Sequence, residues 1–539
     1  MTEAAVQPAS LGQETSGTAV TERPLLQGPV FGPGALFIFA ASAIGVSFSG
    51  LLPFTWVAEV WPGANLALII LVALVAALIH AYTFAAIGSV GRMKPDGMPA
   101  AGDAGWKVAG RALDTPLAFA SSWVMAVFLA LGSGVVVGTI FTEVLPHFAR
   151  GLAMMFESRW LLNNLPAFTT QEGVAMFGTF GVLLVFLFLF ISPQVTNRIL
   201  MVGLLLTGLG WIIICVQLAS ATPYSFQLAW DKYMGTGVFV YQLKEARAMG
   251  LQTGFNLQAI LTAGLAVGML LFSGFFLPSY FASEAKAPQK NLLRSGVLAV
   301  VTCGALLLGG VFAAQRIIPL EWFSAQAILS QLPQYYSSTL PWLPFYAAIL
   351  HPNLVLFWVV GVSWIFGLLC LAVALAYTAS RILRGWASGG FLPDGVGFMH
   401  PELRSPLISV LLVCILVEAG LVAFALGIST KIWLPLAAAC AQIVPVLALI
   451  RLPYRHKDLF EQSGTIVNRK IGPLPLVTVT GIISLVFLLA VIAFLLLSPK
   501  MAELNANAGI ALLVVFVLGM AWYFLSQPYR SQPEGRRDG

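Results

Sequence analysis

Charge is what this sequence has least of. Its 539 residues hold 28 Lys and Arg and 22 Asp and Glu, 9% charged against 59% hydrophobic. A soluble globular chain is about a quarter charged. This one cannot clothe its surface in charge, so that surface must face lipid. Cysteine is scarce as well. Cys215, Cys303, Cys370, Cys414 and Cys440 all fall inside apolar stretches, which gives neither a disulfide framework nor a metal-ligand spacing. Apolar–polar alternation is missing, which excludes a membrane β-barrel. No phosphate-binding loop, nucleophile–base unit or metal cluster can be picked out, so neither an ATP-driven pump nor an enzyme is expected, and no cofactor or metal. The basic residues are scattered over loops, so the net charge of +6 does not point to nucleic acid.

What is present is a series of long apolar runs. Twelve lie near 34–56, 64–89, 116–143, 173–192, 198–220, 256–282, 295–314, 354–383, 407–427, 431–450, 475–497 and 508–526. Each is about 20 residues or more, the length that a hydrocarbon core of about 30 Å requires. The expectation is an all-α integral membrane protein of twelve transmembrane helices. Placing the N-terminus inside puts 20 of the 28 Lys and Arg on the inner side and 8 on the outer. The excess of inner positive charge places both termini in the cytoplasm, in a multi-pass protein of the cytoplasmic membrane. Residues 1–30 lack an apolar core and read as a disordered tail rather than a cleavable signal. Residues 527–539 read as a second cytoplasmic tail.

Two of the runs are interrupted. The sixth contains Ser273-Gly274, then Phe275-Phe276 and Pro278. The first contains Ser42, Gly45, Ser47, Ser49 and Gly50, then Pro53. Broken backbone at membrane depth is tolerated only where it is buried in protein or lines a wet cavity. Pro278 lacks a donor and is expected to free the carbonyl of Gly274. One glycine alone would read as a packing notch. Two breaks at corresponding places, five spans apart, match transporters built from inverted repeats. Unpaired amides at a half-helix start suit a carboxylate, and unpaired carbonyls at a half-helix end suit an ammonium. A break offering both fits a zwitterion such as an α-amino acid.

Three stretches carry a family resemblance. The first is "SGFFLPSYFASEAKAPQKNLLRS", with Glu284, Pro288, Lys290 and Arg294. The second is Tyr377 to Leu407, with Ser380-Arg381, Gly390-Phe391-Leu392-Pro393, His400-Pro401 and Pro406. The third is "GMPAAGDAGWKVAGRALDTPLAFASSWV". Together they resemble the amino acid–polyamine–organocation superfamily of permeases. The resemblance implies the leucine-transporter fold: a 5+5 inverted repeat with broken helices 1 and 6, two extra helices, and alternating access. The first repeat would span 31–220, the second 255–450, and the accessory helices 475–526. The sequence departs from the family pattern at Phe48, at Phe276 where many members have Glu, and at Gly102-Asp103 where Gly-Gly is usual.

The substrate-site candidates are therefore Ile44, Gly45, Ser47, Ser49 and Gly50 in the first break, and Phe272, Ser273, Gly274 and Phe275 in the second. Trp364 is a candidate lid. Glu284 and Arg381 are a candidate cytoplasmic gate pair. Glu418 is the lone clear mid-span acid, and intramembrane carboxylates are functional candidates by default. His80 and Tyr82 read as a buried polar pair, and Gly132-Ser133-Gly134 as helix packing. The expected partners are lipid, an amino acid and a coupling proton or sodium ion. The fifth run has no lysine, and Ser363 and Thr378 are the hydroxyls available to sodium in the eighth. A nucleobase or organocation permease on the same fold, or a transport-inactive sensor, are the alternatives.

Overall fold

Apolar side chains drive these segments into lipid, where each N–H and C=O must find a partner within its own segment, and a helix is the answer. The computed structural model describes residues 30–45, 61, 63–91, 104–156, 160, 169–251, 255–272, 274–329, 332, 343–428, 433–497 and 507–526. Among them, ten helices are long and apolar enough to cross a membrane. The two expected spans missing from that set are the interrupted ones.

In chain order, α1 is Pro33–Ile44, α2 Leu66–Gly91, α3 Ala104–Ala112 and α4 Thr115–Thr139. A π-turn at Ile140–Val144 leads from α4 into α5, Leu145–Phe156. Then come α6 Gln171–Phe190, α7 Pro193–Ala219, α8 Pro223–Met234, α9 Val238–Ala248 and α10 Leu257–Leu271. A 3₁₀ segment, Leu277–Glu284, precedes α11 Pro288–Gln315, α12 Leu320–Leu329, α13 Leu343–Leu350 and α14 Leu354–Ser388. The chain ends with α15 Leu407–Ala425, α16 Trp433–Arg455, α17 Leu476–Leu497 and α18 Ala508–Leu525. A two-residue hairpin, Lys470–Ile471 with Leu474–Pro475, precedes α17.

Small residues set how closely these helices pack. A Cβ on Gly134 of α4 would lie 2.0 Å from Val417 O of α15, and one on Gly420 of α15 would lie 2.2 Å from Leu131 O of α4. The two backbones touch, as membrane helices do at small residues. Ser133, between the two α4 glycines, donates to Ala372 O of α14 at 2.9 Å. The Gly132-Ser133-Gly134 run is thus a packing surface. Phe180, Leu205, Phe312 and Ile415 face outward, as lipid-facing residues do.

The two ends of the bundle differ. At the end where α7 and α11 finish and α14 begins, α8, α9, α12 and α13 form an aromatic layer. Trp230 and Trp322 meet at 4.8 Å, and Phe239 stacks on Trp322 at 5.3 Å. These short helices lie where only loops were expected. At the opposite end, the part of the Tyr377–Leu407 motif that follows α14 ties helices together. Gly390 takes a positive φ of 75°. Phe391 stacks on Phe119 of α4 at 4.4 Å, and its carbonyl accepts from Trp522 of α18 at 2.9 Å.

Candidate functional site

Both interrupted spans end a helix inside the bundle, and the end of α1 meets the break that follows α10. Helix α1 closes at Ile44, with Gly45 in the left-handed region (φ 59°) and its N–H bonded to Ser42 O at 3.1 Å. Helix α10 closes at Leu271. Three residues later Gly274 has φ 110°, and a Cβ there would lie 2.2 Å from Ala43 O and 2.4 Å from Ala43 C. Only glycine fits that approach. Two helix C-termini, each with negative partial charge, converge on this spot, together with the start of the Leu277–Glu284 turn.

The direct contact corrects one expectation. The carbonyl of Gly274 is not freed by Pro278, because Leu277 N–H donates to it at 3.0 Å. The chain tightens into 3₁₀ bonding, which reaches back three residues rather than four. The side of Gly274 where a side chain would project holds Ala43 rather than open space.

The other candidates separate. Ile44 is buried at the end of α1. Phe272 packs towards Gly304 of α11. Phe275 lies edge-on to the ring of His80 at 5.6 Å. Ser47, Ser49, Gly50 and Ser273 lie outside the described residues. His80 and Tyr82 do not pair, which corrects that expectation. Residues two apart lie on different faces of a helix. His80 Nε2 is 2.7 Å from Gln442 Oε1 of α16, and Tyr82 donates to Ile466 O at 2.5 Å.

Trp364 lines a small recess with Val144, His147, Phe148, Phe345 and Phe357. A Cβ at Gly45 would lie 3.0 Å from Leu371 Cδ2 of α14. Trp364 is two helical turns before Leu371 on the same face, about 10 Å along the axis. The recess therefore opens on the side of the α1 break away from Glu284.

Glu284 and Arg381, 97 positions apart in sequence, are brought together. Arg381 Nε lies 2.9 Å from Glu284 Oε1 as an ion pair without hydrogen-bond alignment, and Arg384 Nη1 lies 3.1 Å from the same oxygen. Tyr377 donates to Glu284 Oε2 at 2.9 Å and accepts from Arg381 Nη2 at 2.8 Å. Arg381 is 2% exposed, Arg384 and Glu284 8% each. Above this cluster, the rings of Phe39, Phe281 and Tyr377 meet at 4.8 to 5.4 Å. Val30 and Phe31 both donate their N–H groups to the Glu284 carbonyl, at 2.8 and 2.9 Å. The chain entering α1 is thus latched to the end of the 3₁₀ segment.

Tyr377, Arg384 and Phe31 were not singled out from the sequence. The signal for Tyr377 and Arg384 was their spacing with Arg381, one face of a helix at i, i+4 and i+7.

A family model described as "Amino acid permease" matches residues 31–521. None of the curated proteins matches the chain.

Proposed function

The chain belongs to the amino acid permease family, and from that premise we propose a secondary transporter that moves an amino acid by alternating access. A transporter of a small molecule across a membrane follows from the family and the ten apolar helices. The rest is our reading. The observation that carries it is the meeting of the end of α1 with the break after α10, at Ala43 and Gly274. Two negative helix ends suit an ammonium group, and the start of the 3₁₀ segment suits a carboxylate. A zwitterion satisfies both.

On this reading the interrupted spans complete twelve crossings in a 5+5 inverted repeat. Gly45, Ser47, Ser49 and Gly50 with Phe272, Ser273, Gly274 and Phe275 surround the substrate. Trp364 lids it from the side of the open recess. Glu284, Arg381, Arg384 and Tyr377 form the inner gate, closed here. The coupling ion is a proton or sodium.

A panel of amino acids, read by thermal shift on the purified protein, tests the substrate class. A ligand that binds only the native state raises stability by about 2.7 kcal/mol at a hundredfold excess over Kd. At least one amino acid should raise Tm by several degrees while nucleobases and polyamines leave it unmoved. A shift with those compounds alone would overturn the reading.

The orientation has its own test. With both termini in the cytoplasm, Asp231 lies outside and Asp394 inside. Asp231→Cys should react with a membrane-impermeant thiol reagent added to intact cells, and Asp394→Cys should not. The opposite labelling pattern would reverse the topology.

A further inference from the structure

The carboxyl group of Glu418 sits halfway along α15, at the seam with α6, and its hydrogen bonding carries information about its proton. Thr179 Oγ1 lies 2.7 Å from Glu418 Oε1 and 2.8 Å from Ala175 O. A threonine hydroxyl owns one hydrogen, and a peptide carbonyl owns none to give. That hydrogen can point squarely at only one of these two oxygens. If it goes to Ala175 O, the contact with Glu418 needs a hydrogen from Glu418 itself. The helices are pressed together here: a Cβ on Gly178 would lie 2.6 Å from Leu421 Cδ1. Both Thr179 and Glu418 are half-buried, among lipid-facing neighbours such as Phe180 and Ile415.

We propose that Glu418 is a proton-binding site, occupied as a carboxylic acid that donates to Thr179, which in turn donates to Ala175 O. Binding is a plain protonation: the carboxylate accepts one proton and becomes neutral, and no other bond changes. On release, the Thr179 hydrogen turns from Ala175 O to the carboxylate. Both states then keep the Thr179–Glu418 hydrogen bond, with its direction reversed.

Few other ionisable groups act on this site. Helix α15 packs on α4, α6, α14 and the turn Asp394–Gly397. Helix α4 holds no ionisable side chain. Helix α6 holds only Glu172, seven positions before Thr179 and about 10 Å along the axis. Helix α14 holds Cys370, and Tyr377, Arg381 and Arg384 are gathered around Glu284. Asp394 lies on the turn near the start of α15, and Cys414 is one helical turn before Glu418. No cation stands on α6 or α15. A negative charge at Glu418 would face lipid without a countercharge from either helix. Membranes make such a charge expensive, and protonation removes it.

The test is difference infrared spectroscopy on the full chain in lipid nanodiscs at neutral pH, comparing wild type with Glu418→Gln. A protonated-carboxyl band present in wild type and lost in the variant is the expected result. A difference confined to carboxylate bands, or none, overturns the proposal. Thr179→Val provides the second comparison, and suffices if Glu418→Gln does not fold. Removing the acceptor should shift the acid band towards that of a freer carboxyl. A band that stays in place overturns the assignment.

Discussion

Gly274→Ala is expected to abolish ligand binding and to remove most of the folded protein, although it adds a single methyl group. The new Cβ would lie 2.2 Å from Ala43 O, a backbone atom held by α1. Backbone cannot rotate aside as a side-chain tip can. The φ of 110° adds strain of order 1–3 kcal/mol for any residue with a Cβ. Overpacking typically costs a further 1–3 kcal/mol or so. Together these consume much of a folded protein's margin of about 5–15 kcal/mol. Gly45→Ala should be milder. There the Cβ would meet Leu371 Cδ2 at 3.0 Å, the movable end of a side chain, and left-handed backbone costs roughly 1–2 kcal/mol. Gly309→Ala is the control. It has open space around it within α11, and alanine in a helix is favoured over glycine by about 1 kcal/mol. The measurement is monodisperse yield, Tm and calorimetric binding of whichever amino acid the panel identifies. The expected order of stability is Gly309→Ala, then Gly45→Ala, then Gly274→Ala. A Gly274→Ala protein that melts with the control and binds normally would show that the close approach of Gly274 to α1 is dispensable.

Much of this fold is readable in the sequence. Apolar length alone located helices such as α2, expected near 64–89 and found at Leu66–Gly91. Glycine and proline located the ends of α1 and α10, because helix interruption is a local property of those residues. It did not tell which atoms face which. The sequence suggests open backbone at Gly274, and the space beside it holds Ala43. It suggests that Pro278 frees a carbonyl, which a 3₁₀ turn recaptures. It suggests His80 and Tyr82 as partners through closeness in sequence, which in a helix turns them to different faces. The layer of α8, α9, α12 and α13 was invisible to a search for long apolar runs, since these helices are short. The partners of Glu284 were hidden for another reason. Arg384 and Tyr377 lie on an unbroken helix that runs beyond its apolar part, and no local pattern encodes contacts across some 90 residues.

Glu284→Gln is expected to open the inner side of the protein while sparing most of its fold. The carboxylate is the sole acid within ion-pair distance of Arg381 and Arg384, among the described residues. Taking it away leaves two guanidinium groups, 2% and 8% exposed, facing each other without a countercharge. Removing one partner of a buried pair typically costs about 3–5 kcal/mol. If the cluster is a gate, that cost falls on the closed arrangement alone, because an open gate lets water solvate both arginines. A penalty of about 3 kcal/mol shifts a closed–open equilibrium by roughly a hundredfold. Ala282→Cys, at a position with 0% exposure in the 3₁₀ segment, reports the change. In a background lacking the five native cysteines it should react slowly with thiol reagent in inside-out vesicles. With Glu284→Gln added, the reaction should speed up at least tenfold. Transport should slow more than equilibrium binding weakens, since the site can fill but the inner side no longer closes behind it. Adding Arg381→Gln removes one stranded charge and should recover part of the protection, the coupling expected of groups in contact. A purely structural cluster gives a different pattern: Tm falls, while Ala282→Cys reactivity in the remaining folded protein does not change. Normal uptake together with normal exchange in Glu284→Gln would remove this residue from the transport cycle altogether.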